Sequence, residues 1–279
     1  MKIIIAGGSG MLGNAIREAL KNNEVFAMSS KEMDITCPSR VDAIVKQIRP
    51  DYVINCAAYT AVDLAETEEE KAYQLNALAV EKLAQVSSQY DATLIHFSTD
   101  YVFMGDGNTP YLPQDPVDPI NVYGASKLAG ERAIQKVKPK SYIFRISWLY
   151  APHGKNFFKW VAETENERLN IVDSQTGSPT SALDVADFIK HLINNDPKEF
   201  GIYHFTNKGA WTWFDFAKAI NEKLKLGKVV SPVSVFKTAA ERPAYSVMNC
   251  EMTESVFNYQ IPSIKDGLGR VIQAYNNKL

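Results

Sequence analysis

The chain has 279 residues, 46% hydrophobic and 22% charged, with a formal net charge of -2. These are ordinary proportions for a globular protein of one large domain or two unequal ones, and no basic cluster implies nucleic acid. Cys37, Cys56 and Cys250, with His96, His153, His191 and His204, show no metal-ligand spacing, and no apolar run approaches the roughly 20 residues of a membrane span, so a cytoplasmic protein without metal or membrane is expected.

Residues 2–6, Lys-Ile-Ile-Ile-Ala, form a short β-branched run of the kind buried in a parallel sheet. Gly7, Gly10 and Gly13 break it, and residues 11–20 then show helical periodicity. The alternation repeats: strand 25–28, helix 41–48, strand 52–55, helix 76–86, strand 93–98, helix 123–134 and strand 142–146. Strands and helices of this size in alternation predict an α/β fold with a doubly wound parallel sheet, Rossmann-like, and a smaller interleaved C-terminal substrate domain. Ligands bind such sheets beyond the carboxyl ends of the strands, where the glycines, Ala57-Ala58 and Thr99-Asp100 all fall. A glycine turn opening a helix suits a dinucleotide, because backbone approaches the pyrophosphate and the helix N-terminus supplies amide donors. The position after the second strand reads Ser29-Ser30-Lys31, without a carboxylate to repel a 2′-phosphate. NADPH is therefore the expected cofactor, with NADH possible; the alternative is that these are surface loop residues.

Tyr123 and Lys127 lie four residues apart, one helical turn, so phenol and ammonium share a face. An ammonium beside a phenol lowers its pKa from roughly 10, which suits proton transfer near neutral pH. Combined with a dinucleotide turn, the pair points to a nicotinamide-dependent oxidoreductase.

Gly7-x-x-Gly10-x-x-Gly13, Asn55-Cys56-Ala57-Ala58, residues 98–103 and Tyr123-x-x-x-Lys127 resemble the extended short-chain dehydrogenase/reductase superfamily. Ala58-Tyr59-Thr60-Ala61-Val62-Asp63, Asn121-Val122-Tyr123-Gly124, Ser147-Trp148-Leu149-Tyr150, Gly177-Ser178-Pro179-Thr180 and Arg242-Pro243-Ala244-Tyr245-Ser246 narrow the resemblance to the dTDP-4-dehydrorhamnose reductase family. The resemblance implies NADPH-dependent reduction of the 4-keto group of dTDP-4-dehydro-L-rhamnose to dTDP-L-rhamnose, for cell-surface polysaccharide. It implies Tyr123 as general acid, Thr99 as a second hydrogen bond to the reacting oxygen, and Lys127 as the group that tunes Tyr123 and binds the nicotinamide ribose. The implied cofactor contacts are Gly7, Ser9, Gly10, Met11, Leu12, Gly13, Ser30, Asp34, Ile35, Ala57, Ala58 and Tyr59, with Tyr123 and Lys127. For Asp34 a turn or helix cap is the alternative.

After residue 146 the alternation weakens. A turn at 151–154 leads to an aromatic helix with Asn156, Phe157, Phe158 and Trp160, and residues 182–194 read as a helix returning to the first domain. The expected division is 1–150 with about 171–203 for the NADP(H)-binding domain, and 151–170 with 204–279 for the nucleotide-sugar domain. The implied substrate contacts are Thr60, Val62, Thr99, Tyr101, Trp148, Asn156, Thr180 and Arg242. The indole of Trp148 suits an apolar sugar face and the guanidinium of Arg242 suits diphosphate; the alternatives are a core tryptophan and a surface ion pair. Leu183 stands where some family members carry a carboxylate for a magnesium-linked dimer, so a monomer or weak homodimer is expected. The competing readings are a nucleotide-sugar epimerase or dehydratase of the same superfamily, or a non-catalytic regulatory subunit.

Overall fold

The computed structural model describes residues 1–277. Its frame is six parallel strands. Five are β1 (Lys2–Ala6), β2 (Glu24–Met28), β3 (Tyr52–Asn55), β4 (Thr93–Thr99) and β5 (Ser141–Ile146), and the sixth is Gly201–His204. From one edge the order is Gly201–His204, β5, β4, β3, β1, β2. The chain therefore reverses its winding between β1 and β3, and the crevice at that switch point opens at the carboxyl ends of both strands.

Alternation along the strands explains why both faces need helices. Ile3 and Ile5 point to a layer holding Ile16 of helix α1 (Met11–Ala19) and Phe188 and Ile189 of the helix Ala182–Asn195. Ile4 points to the opposite layer, with Val41 and Val45 of helix α2 (Pro38–Ile48), Val80 and Leu83 of Ala79–Gln89, and Ile134 of Val122–Val137. All three isoleucines are completely buried, each contributing about 1.5–3 kcal/mol over an exposed side chain.

Residues beyond β5 build a third core from Phe158 and Val161, Leu169 and Ile171, Phe216 and Ile220, and Leu268 and Val271. It lies under a parallel pair, Arg168–Val172 with Val229–Val233, and the helices Phe157–Glu163, Trp213–Leu224 and Ile264–Asn276. Asp184 joins this part to the sheet. Fully buried on the returning helix, its carboxylate accepts from Asn207 Nδ2 and pairs with Arg270 of the last helix.

The helix predicted over 76–86 starts differently. Short turns at Val62–Ala65 and Glu69–Tyr73 lead into a π-helical turn, Gln74–Leu78, before Ala79–Gln89. The wide turn presents the backbone oxygen of Asn76 to the helix Val122–Val137, so closely that a Cβ on Gly130 would fall 2.2 Å from it. Such π turns accompany functional sites, because they re-aim one side chain without ending the helix.

Candidate active site

The glycine turn after β1 leaves no room for side chains. Gly7 has φ +74°, and a Cβ there would stand 2.7 Å from the backbone nitrogen of Ala57 on the neighbouring loop. A Cβ on Gly13 would fall 2.4 Å from the Gly7 oxygen, so this residue sets how tightly α1 seats on the turn. Gly10 caps α1 without a side-chain bond, and the first amides of the helix open on the switch-point crevice. A backbone cradle at a helix N-terminus fits a dinucleotide pyrophosphate.

A cleft of about 620 Å³ continues from the end of β2, lined by Ser30, Lys31, Asp34, Thr36, Tyr59 and Lys71 among others. Beyond Ser29-Ser30-Lys31, Glu32 folds back to accept the Ser29 N–H and hydroxyl. Asp34, at the cleft, accepts from the Thr36 N–H and hydroxyl as a local turn cap, and the Ile35 side chain is buried in the core.

Across the crevice, β4 and the helix Val122–Val137 bring Thr99, Tyr123 and Lys127 together. The helix starts where Asn121 accepts the Gly124 N–H, and a Cβ on Gly124 would fall 2.1 Å from the Tyr101 oxygen, which fixes how closely the helix approaches the end of β4. Thr99 caps the 3-10 turn Asp100–Val102 by accepting the Tyr101 N–H at 3.2 Å, and its hydroxyl donates to Asp100 Oδ1 at 3.1 Å beside the Tyr123 phenol. Asp100 is 2% exposed; burial lifts its carboxyl to about 7, partly offset by hydrogen bonds from Ser246 and Thr99.

The phenol is not tuned as the four-residue spacing predicts. Burial pushes Tyr123 up to about 12, against the opposing hydrogen bond of Thr99, with the Asp100 carboxylate adding to the rise. The Lys127 side chain runs instead to β4, where Nζ donates to the Phe97 carbonyl at 2.6 Å and stands 3.4 Å from His96 Nε2. Burial lowers Lys127 to about 8, against the pull of Glu131 and Cys56. Desolvation thus outweighs the Thr99 hydrogen bond, leaving a phenol that holds its proton at neutral pH.

The loop after β3 is held to this pair from below. Asn76 of the π turn accepts the Tyr59 N–H, and its amide nitrogen donates to the Tyr59 carbonyl and to Ser126, which itself donates to the Tyr123 carbonyl. Sequence reading missed Asn76; a buried asparagine inside an apolar helix pattern was the available signal. Thr60 is exposed and Val62 half-buried at the start of the next short turn.

Beside this cluster, Tyr101 meets Tyr123 edge-on at 5.8 Å, and the guanidinium of Arg242 lies 5.9 Å over the Tyr101 ring. Arg242 pairs with Asp63 at 2.8 Å, and its buried Nη1 has no hydrogen-bond partner among the described residues. Asp63 also accepts the Ala240 N–H, and Asn121 donates to the Glu241 carbonyl, so the loop carrying Arg242 is tied to the site at two points.

Three expected substrate contacts are placed otherwise. Trp148, at φ +45°, stacks on Trp213 at 3.7 Å and 7°, which occupies one face of its indole. Asn156 caps the helix Phe157–Glu163 while its amide nitrogen donates to the Ala151 and His153 carbonyls, so its polar atoms hold the loop. Thr180 is completely buried and donates to the Ser178 carbonyl. In each case the polar or aromatic group meets the demands of a crowded turn first.

A doubly wound sheet with a glycine cradle at its switch point, and a Thr–Tyr–Lys cluster across the crevice, defines a Rossmann-type oxidoreductase. The chain belongs to the family described as RmlD substrate binding domain, whose model matches residues 1–277. It is 38% identical to the dTDP-4-dehydrorhamnose reductase of Salmonella typhimurium, over 98% of this chain and 97% of that protein. Its fold superposes with a TM-score of 0.94 on the crystal structure of dTDP-4-dehydrorhamnose reductase from Bacillus anthracis in complex with NADP, 39% identical over 98% of this chain and 99% of that one. The Clostridium acetobutylicum dTDP-4-dehydrorhamnose reductase ortholog gives the same TM-score at 35% identity, covering 99% of this chain and 100% of the other.

Proposed function

We propose that this protein reduces the 4-keto group of dTDP-4-dehydro-L-rhamnose to dTDP-L-rhamnose with NADPH. The observation that carries this reading is the convergence of Thr99, Tyr123 and Lys127 opposite the Gly7 cradle, in a chain whose near full-length relatives bear that enzyme name. The bound nicotinamide supplies hydride to the sugar carbonyl carbon.

The chain's own residues supply the proton and the charge. Tyr123, protonated at neutral pH, donates from its hydroxyl to the carbonyl oxygen as negative charge grows there. Thr99 holds the phenol in line and offers a further hydrogen bond at that oxygen. Lys127 as an ammonium stabilises the phenolate left on Tyr123 and hydrogen-bonds the nicotinamide ribose. Gly7, Ser9, Gly10, Met11, Leu12 and Gly13 surround the pyrophosphate, and Ser30, Asp34, Ala57, Ala58 and Tyr59 line the nucleoside path. Arg242, with its unpartnered Nη1, grips the diphosphate. Thr60, Val62, Tyr101 and the free edge of Trp148 border the sugar.

In this reading residues 1–150 with about 171–203 carry the cofactor, and 151–170 with 204 onward carry the nucleotide sugar. We place the enzyme in the cytoplasm as a monomer or weak homodimer. The test is NADPH oxidation by the purified protein across a panel of nucleotide 4-keto sugars. Turnover with dTDP-4-dehydro-L-rhamnose, well above that with UDP- or GDP-linked ketones, is the expected result; saturable NADPH binding without turnover of that sugar would remove the reading.

A further inference from the structure

Behind the Tyr123–Lys127 pair a line of hydrogen bonds runs from the loop after β3 to the lysine, and its polarity can be read from one end. The Ala57 N–H donates to Asn55 Oδ1 at 3.1 Å, which fixes the side on which the amide oxygen lies. The amide nitrogen of Asn55 then faces His96 Nδ1 at 3.1 Å. An amide NH₂ only donates, so Nδ1 accepts. His96 is completely buried, and burial together with the Lys127 charge holds the ring neutral. Its single proton therefore sits on Nε2, 3.4 Å from Lys127 Nζ.

An ammonium has three N–H groups and no lone pair, whereas an amine can accept. The ring thus offers a donor to a donor while Lys127 is charged, and a donor to an acceptor once it is neutral. The other titratable groups facing Lys127 pull the opposite way. Glu131 is engaged by Arg145 through bonds of 2.9 and 2.8 Å, and burial keeps the Cys56 thiol protonated. Tyr123, one turn earlier on the same helix, is held protonated by burial.

We propose that His96, fixed as the Nε2–H tautomer by Asn55, is a positioning residue that favours the amine form of Lys127 and so sets the pH at which the enzyme loses activity. The inference rests on the role proposed above for Lys127. Activity needs the ammonium beside the forming phenolate, so it falls as pH rises through the Lys127 pKa, and the histidine brings that fall closer to neutrality.

Two measurements on the full-length protein test this. In ¹⁵N spectra of histidine-labelled enzyme, the ring resonances lost in His96→Gln are expected to show Nε2 protonated and Nδ1 as acceptor. His96→Gln places an amide that can turn its oxygen to Lys127, and is expected to move the alkaline limb of kcat/KM up by about one pH unit, a tenfold gain in relative activity on that limb. A proton on Nδ1, or a His96→Gln limb at the wild-type position with the protein folded and binding NADPH, overturns the proposal. If the variant does not fold, the tautomer decides, with the ring assigned through its hydrogen bond from the Asn55 side-chain amide. An enzyme inactive on the nucleotide sugar would refute the function above while leaving the ring spectrum to judge this inference separately.

Discussion

Glu131 lies eight residues after Tyr123 on the same helix and is 1% exposed; Arg145 of β5, its partner, is 3% exposed. The pairing is bidentate, and the guanidinium also donates to the Pro113 carbonyl and lies 5.1 Å over the Phe103 ring. Glu131→Ala leaves that guanidinium buried with one carbonyl and one ring for company. Removing one partner of such a pair costs about 3–5 kcal/mol, because the remaining charge is desolvated without compensation. At about 2–4 °C per kcal/mol for a chain approaching this size, the melting temperature should fall on the order of 10 °C. Thermal unfolding followed by circular dichroism checks this. Replacing both partners by methionine should recover most of the loss, since the second charge is then absent as well. A fall of less than about 2 °C for Glu131→Ala would refute the reasoning. Because Glu131 raises the Lys127 pKa, Glu131→Gln should also move the alkaline limb of activity to lower pH.

Arg242→Ala should raise KM for the nucleotide sugar about tenfold or more while changing that for NADPH little, since its unpartnered Nη1 is the group proposed to grip the diphosphate; steady-state kinetics with each substrate varied would show the reverse if the assignment is mistaken. Asp100, whose folded pKa of about 7 lies above its ordinary 3.8, favours the native state most below about pH 4 and loses that advantage as pH rises to about 7. Asp100→Asn should therefore flatten the fall of the urea midpoint over that window; parallel curves for the two proteins would count against the buried carboxyl.

The sheet was legible because each of its first five strands is a short apolar run closed by a turn, and Gly7, Gly10 and Gly13 mark where β1 ends. Strand Gly201–His204 escaped because it has four residues and pairs on one side only, so its sequence carries little alternation. Val229–Val233 contains Pro232, tolerated in a two-stranded pair and a poor strand signal. At the site, the four-residue spacing placed Tyr123 and Lys127 on one helix face but did not show where the lysine would point. That depends on the Phe97 carbonyl and on His96, which reads in sequence as one more residue of a buried strand. Asn156 and Thr180 show the converse: residues that look free in a motif were claimed by helix capping and by a buried turn, needs that appear only once the backbone is folded.

Tyr123 is the proton donor on which the proposed reaction depends, and the most direct measurement is kcat with dTDP-4-dehydro-L-rhamnose beside the NADPH Kd, for wild type and Tyr123→Phe. The phenylalanine keeps the ring and its edge contact with Tyr101 while removing the hydroxyl that carries the proton. The expected result is a loss of kcat of at least about a hundredfold, with NADPH Kd within about threefold of wild type. Turnover close to wild type, with dTDP-L-rhamnose as the product, would contradict it.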